Sequence, residues 1–199
     1  MQDIAEYIYR QGYCIVDNYL DISCLNGLQA HVHSLYNNGS LSQSKIGRQQ
    51  NSTLNAKIRN DEIFWLEENS ANDNVSSYFA ALNDLKLHLN QTLFLGLMRY
   101  EAHFAAYQPG SFYKKHVDQF KSNQDRKVSC VYYLNTEWEP EFGGELILYD
   151  QEDVVLERIL PTANRLVCFT SDMPHEVLTT RQHTRYSIAG WFKTRPDIF

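Results

Sequence analysis

Two histidines and one aspartate are spaced to hold a metal ion: His116-Val117-Asp118, and much later His175. Two imidazoles and a carboxylate form the 2-His-1-carboxylate set that binds non-haem Fe(II) and leaves coordination positions open for a co-substrate and oxygen. Arg185 follows His175, and the paired N–H groups of its guanidinium suit the far carboxylate of a dianionic co-substrate. Together these residues predict iron-dependent oxygenase chemistry. Ligand identity alone leaves Zn(II) open, because the same side chains accept it.

A His-x-Asp pair by itself is a weak signal. Its context strengthens it. In a strand, residues i and i+2 face the same way, so His116 and Asp118 can present both side chains to one ion. A later strand beginning at His175 supplies the third ligand from across the barrel. The remaining histidines are less well placed. His31, His33 and His88 fall in helical segments, and His183 stands so close to Arg185 that it would crowd it. His103 shares strand parity with Tyr107 and is expected to line the pocket without binding metal. Tyr107, Tyr113 and Tyr133 can turn hydroxyls inward, although core packing accounts equally well for each taken singly.

These side chains need a scaffold. From about residue 98 the sequence breaks into short apolar runs separated by turn residues: 99–107, 128–135, 144–149, 154–160, 166–170, 175–180 and 186–194. Such spacing predicts a mainly β fold, a jelly roll packed on N-terminal α-helices. Residues 2–11 predict a helix with Ile4, Tyr7 and Ile8 on one face, and 13–19 a strand. Asp21 offers an N-cap to a helix carrying Leu25, Leu28, Val32, Leu35 and Tyr36 as far as Asn38-Gly39. A second amphipathic stripe runs through Val75, Tyr78, Phe79, Leu82, Leu85, Leu89 and Leu93. Between them lies a polar stretch, 40–60, long enough to be a mobile lid or a solvated connection. The expected organisation is one domain over 1–199: 1–97 as helical support with the loop 40–60, and 98–195 as the catalytic β part.

Composition narrows the partners. The chain has 199 residues, 43% hydrophobic and 21% charged, which fits a single globular domain and excludes wholesale disorder. A net charge of −6 argues against a nucleic-acid partner, which wants a basic surface. No apolar run is long enough to span a bilayer, and the start shows no signal peptide, so no membrane association is expected. Cys14, Cys24, Cys130 and Cys168 have no C-x-x-C spacing and read as reduced thiols in a cytoplasmic protein.

Taken together, the motifs resemble a known family. The run Tyr107-Gln-Pro-Gly-Ser-Phe-Tyr113-Lys-Lys-His116-Val-Asp118 resembles the prolyl 4-hydroxylase branch of the 2-oxoglutarate/Fe(II) oxygenases. It is especially similar to the animal oxygen-sensing (HIF-type) prolyl hydroxylases and their bacterial relatives. Matching segments continue in order: Val131-Tyr-Tyr-Leu-Asn135, Gly143-Gly-Glu-Leu146, Asn164-Arg-Leu-Val-Cys-Phe169, Pro174-His-Glu-Val177 and Arg185-Tyr-Ser-Ile-Ala-Gly-Trp191. Ile58-Arg-Asn-Asp61 through Trp65-Leu66 extends the likeness upstream.

The resemblance implies a double-stranded β-helix with Fe(II) on His116, Asp118 and His175, which would then be the catalytic centre. It implies 2-oxoglutarate and O2 as co-substrates, with Arg185 and Tyr133 on the distal carboxylate and Tyr107 in the same pocket. Trp191 and Tyr113 would lie near the iron and the substrate entrance, and ascorbate is a candidate reductant. The polar stretch would match the family's mobile loop, with Arg48 and Arg59 as its charged candidates. The implied activity is hydroxylation of a prolyl residue in a loop of a cytosolic protein, with release of succinate and CO2. The bacterial branch suggests a translation factor such as elongation factor Tu, and a monomer is the favoured assembly. Alternatives are a free amino acid, another side chain or another small molecule as substrate, or a non-catalytic metal-binding jelly roll. Two departures stand out: the turn between Tyr107 and Tyr113 is one residue shorter than in the animal sensors, and Ala189 stands where they carry a threonine.

Overall fold

Among the described residues, caps written into the sequence fix two of the three α-helices, all of which lie in the N-terminal half. In α1 (Ile4–Gln11) the Asp3 carboxylate accepts the N–H groups of Ala5 and Glu6, and Gly12 closes the helix at φ +83°. In α3 (Asp73–Leu93) the Asn72 side chain accepts from Asn74 and Val75. Asp21 does stand at the N-cap of α2 (Ile22–Asn37), but its side chain makes no capping hydrogen bond. The stripe predicted for α1 shifts by one position: Ala5 is buried with Ile4 and Ile8, while Tyr7 is exposed. The computed structural model describes residues 3–44, 57–119 and 124–195.

Eleven strands among the described residues build the expected jelly roll: β1 (Tyr13–Val16), β2 (Ser42–Gln43), β3 (Glu62–Leu66), β4 (Arg99–Tyr107), β5 (Tyr113–His116), β6 (Arg126–Tyr133), β7 (Leu146–Tyr149), β8 (Val155–Ile159), β9 (Leu166–Thr170), β10 (His175–Val177) and β11 (Arg185–Lys193). They form a seven-stranded sheet, β1-β9-β6-β11-β4-β3-β2, facing a four-stranded sheet, β5-β10-β7-β8. Every strand pair within them is antiparallel.

The central strands of the large sheet are buried on both faces, which is why the inner parts of β4 and β11 read as apolar runs. Ala102, Phe104, Ile188 and Phe192 pack with the helices through Leu28, Val75, Tyr78 and Leu82. Ala105, Tyr107 and Tyr133, of the opposite parity, pack with Leu146, Leu148 and Val177 of the small sheet. The second of these two cores surrounds the site.

Several boundaries differ from the sequence expectation for local reasons. β1 stops at Val16, because Asn18 turns the chain at φ +55°. β6 ends at Tyr133, after which the Asn135 side-chain amide donates to the backbone oxygens of Pro161 and Tyr186. β10 ends at Val177, and Thr180 bridges to Gly143 instead of continuing the strand. β3 went unanticipated. Of the 40–60 stretch, β2 and residues around Arg59 are seen, whereas 45–56, including Arg48, lie outside the described residues. The four cysteines are free thiols. No helix among the described residues is long and apolar enough to cross a membrane.

Candidate active site

The two candidate histidine ligands are nearest neighbours. β5 and β10 pair side by side in the small sheet, and His175 is the register partner of His116. The third ligand therefore does not reach across the barrel as the sequence suggested. Its strand is adjacent. Asp118 also leaves the expected strand: β5 ends at His116, and Asp118 lies on the bend that follows. The Gln119 N–H donates to the Ser171 carbonyl at 2.8 Å, which pins that bend against the end of β9.

The bend returns the Asp118 carboxylate to both imidazoles. One oxygen lies 3.6 Å from His116 Nε2 and the other 3.5 Å from His175 Nε2. One ligand atom from each residue lies within 4.8 Å of the other two, close enough to converge on a single ion with small side-chain adjustments. Among the described residues this is the one group of three His, Cys, Asp or Glu side chains close enough to hold a metal ion.

Each donor is also oriented from behind. His116 Nδ1 lies 2.8 Å from the Lys114 carbonyl and His175 Nδ1 lies 3.0 Å from the Met173 carbonyl. A carbonyl only accepts, so both Nδ1 atoms carry a proton and both Nε2 atoms are turned toward the carboxylate. Ser129 Oγ donates to Asp118 Oδ2 at 2.7 Å and is joined to Ser171 Oγ at 2.9 Å. Sequence reasoning missed both serines; the available signal was a hydroxyl set among the buried apolar residues of β6.

Electrostatics favour a ligating state. Burial alone would raise the Asp118 carboxyl, but His175, His116 and Arg126 hold it well below the usual carboxylate range. Burial, with His116 alongside, pushes His175 down to about 4 against the attraction of Asp118. At neutral pH His175 is neutral and Asp118 ionised, as metal ligation requires. Tyr113 lies flat on His116, with ring centres 3.6 Å apart at 17°, and the Arg59 guanidinium sits 4.4 Å from the Tyr113 ring centre. Arg59 is itself clamped by two hydrogen bonds, 2.8 and 2.6 Å, to the fully buried Asp61.

Arg185 stands at the other end of the same cavity, 1% exposed. Its Cζ is 5.0 Å from the ring centres of both Tyr107 and Tyr133, and its Nη1 donates to Ser187 Oγ at 3.2 Å. No carboxylate pairs with it among the described residues. Its Nε, the Tyr133 hydroxyl and Thr180 Oγ1 are all buried without hydrogen-bond partners. A buried cation with unpaired donors around it fits an anionic carboxylate. Burial raises the Tyr133 and Tyr107 hydroxyls, so they stay protonated.

Thr180 was not foreseen, and Gly144 explains how it and Arg185 come together. A Cβ on Gly144 would lie 3.0 Å from Arg185 Cδ and 3.2 Å from Thr180 Oγ1, at a φ of +73°. Trp191 closes the cavity wall, its ring covered by the Arg126 guanidinium at 3.6 Å. The cavity volume is about 50 Å³, and its mouth opens to solvent. His103 lines it, as expected, whereas His183 packs on Phe142 outside it.

The chain is similar to known proteins in sequence and in fold. The sequence pattern of the 2OG-Fe(II) oxygenase superfamily matches residues 102–193. The crystal structure of a Pseudomonas putida prolyl-4-hydroxylase is 34% identical and superposes with a TM-score of 0.86, covering 96% of this chain and 97% of that one. A Trichoplax adhaerens prolyl hydroxylase, solved with a hypoxia inducible factor oxygen degradation domain peptide fragment, is 28% identical with a TM-score of 0.85, covering 96% and 88%. Human Egl nine homolog 1 is 29% identical over 199 residues, covering 96% of this chain and 46% of that protein. The chain spans about half the length of the first curated relatives it matches.

Proposed function

Because this chain belongs to the 2OG-Fe(II) oxygenase superfamily, we propose that it hydroxylates a prolyl residue in a loop of a protein substrate, consuming 2-oxoglutarate and O2 and releasing succinate and CO2. One observation carries the reading: a single cavity holds His116, Asp118 and His175 together with Arg185, a buried cation with unpaired donors. The likeness to the Pseudomonas enzyme supports the prolyl target. The peptide fragment held by the Trichoplax protein supports a protein substrate. Elongation factor Tu is the first candidate protein to try. Free thiols fit a cytoplasmic setting, and a monomer suffices, since one chain supplies every residue named.

In this reading His116, Asp118 and His175 hold Fe(II), while Arg185, Tyr133 and Tyr107 receive the distal carboxylate of 2-oxoglutarate. When bound, iron and 2-oxoglutarate supply the activation of O2 and the oxidising equivalents for C–H hydroxylation. The chain's own part is to position and to shield. Ser129 keeps the Asp118 carboxylate turned between the imidazoles. Tyr113, stacked on His116, restricts that ring and keeps water from one face of it. Val177, Leu146 and Phe169 give the cavity a dry wall, in which the charge of Arg185 acts with little screening. In this reading residues 98–195 supply the metal ligands and the co-substrate pocket, while 1–97 support the large sheet and add Arg59 to the cavity.

The test is 2-oxoglutarate turnover with Fe(II) and ascorbate, read as succinate. Wild type should turn over, and Asp118→Ala should not. Equal rates in the two proteins would remove the site assignment.

A further inference from the structure

The rungs of the large sheet give the cavity a map. One rung aligns Trp65, His103, Ala189 and Val131, and the next aligns Glu101, Trp191, Ser129 and Phe169. Ser129 grips Asp118, so the Trp191 rung lies level with the metal-binding carboxylate. Arg185 and Tyr107, register partners, stand at the far end, roughly 20 Å of extended strand from Trp191. The His103 and Trp191 side of the cavity is therefore the side away from the co-substrate's distal carboxylate.

Two polar atoms on that side are left over. His103 is 3% exposed and its Nδ1 has no hydrogen-bond partner; Trp191 Nε1 is buried and likewise has none. The rings stand 5.4 Å apart, and no hydrogen bond joins them. Leaving such groups unpaired is unfavourable, and residues that line a cavity can have the deficit made good by what enters it. Burial first, then the Arg59 charge, pushes His103 down to about 3. The ring is neutral and offers one donor and one acceptor. Outward from it, Trp65 meets His103 edge-on at 5.0 Å and is 52% exposed, which carries the aromatic wall to the surface.

We propose that His103 and Trp191 read the peptide backbone beside the target residue. The indole N–H donates to a substrate carbonyl, and the imidazole bonds the neighbouring amide. The inference rests on the prolyl reading above. A proline ring has no polar group, and a prolyl residue has no N–H, so its nearest polar handles are the flanking carbonyls and the N–H of the next residue. Those neutral groups suit the two leftover atoms: an indole N–H for one carbonyl and an imidazole nitrogen for the neighbouring amide. Free proline would instead bring an ammonium and a carboxylate against aromatic rings, at a desolvation cost. The site is thereby built for a residue within a chain.

The test is an NMR titration of the Zn(II)- and 2-oxoglutarate-loaded protein with N-acetylproline methylamide, the smallest prolyl unit with both flanking amides, and with free L-proline. Wild type should bind the capped compound more tightly. His103→Leu should weaken that binding about tenfold, the loss of one hydrogen bond. His103→Asn, which returns an amide near the Nδ1 position, should restore most of it, and 2-oxoglutarate affinity should match in all three. Equal binding by His103→Leu and wild type would overturn the backbone-reading pair and leave the prolyl reading standing. Preference for L-proline, or binding of neither compound by wild type, would overturn the pair and count against the prolyl reading as well.

Discussion

Replacing Arg185 with methionine should stabilise the protein in the absence of co-substrate and abolish its response to 2-oxoglutarate. The guanidinium is 1% exposed, with one 3.2 Å hydrogen bond to Ser187 and two tyrosine rings at 5.0 Å as its compensation. Removing an ion from water costs several kcal/mol even after relaxation. A hydrogen bond to a charged group recovers about 1.5–3 kcal/mol, and each desolvated cation–π contact about 1–2 kcal/mol. These returns at best offset the cost, and replacing buried ionic groups by packed apolar side chains is often stabilising by about 1–3 kcal/mol, the gain expected here. For a chain of this size that is a rise in Tm of roughly 2–12 °C. Wild type at a 2-oxoglutarate concentration 100 times its Kd should gain about 2.7 kcal/mol. The variant, lacking two charged hydrogen bonds together worth at least about 3 kcal/mol, should bind over 100-fold more weakly and gain almost nothing. Thermal melts of the Zn(II)-loaded proteins with and without 2-oxoglutarate decide the matter. A variant less stable than wild type without co-substrate, or one stabilised equally by it, would refute the argument.

Ser129→Ala removes the 2.7 Å hydrogen bond that orients Asp118 and should weaken metal binding by about 10–100-fold, measured by competitive Fe(II) or Zn(II) titration, with little change in fold. The metal-free protein should lose stability in acid through His175, whose proton affinity is pushed down to about 4. The unfolded imidazole takes up a proton near pH 6.5 while the folded one does not, so the stability is present above pH 6.5 and is lost as pH falls toward 4. The loss comes to about 3 kcal/mol and is read from urea melts.

The chemistry-bearing residues were legible because their types are rare and their order is informative. His116, Asp118, His175 and Arg185 converge on one cavity. Their route to it was less legible. Sequence periodicity tells which residues share a face but not which strands are neighbours, so the sequence suggests the opposite wall for His175, whereas the β5–β10 pairing puts it beside His116. Likewise i, i+2 parity suggested one strand for His116 and Asp118, whereas a bend does that work. Ser129, Ser171 and Thr180 act through contacts distant in sequence, and a lone hydroxyl in a strand announces none of them. The unpaired nitrogen of His103 is visible only once its surroundings are known. Strand β3 was missed because its Glu-Ile-Phe-Trp-Leu run follows a polar stretch, and its strand state comes from pairing with β4.

The most direct test of the central claim is peptide mass spectrometry on source-organism lysate treated with the purified protein, Fe(II), 2-oxoglutarate, ascorbate and ¹⁸O2. The account predicts ¹⁸O on a proline of a defined protein, present with wild type and absent with Asp118→Ala. No labelled peptide, with succinate formation no greater than in Asp118→Ala, would contradict it.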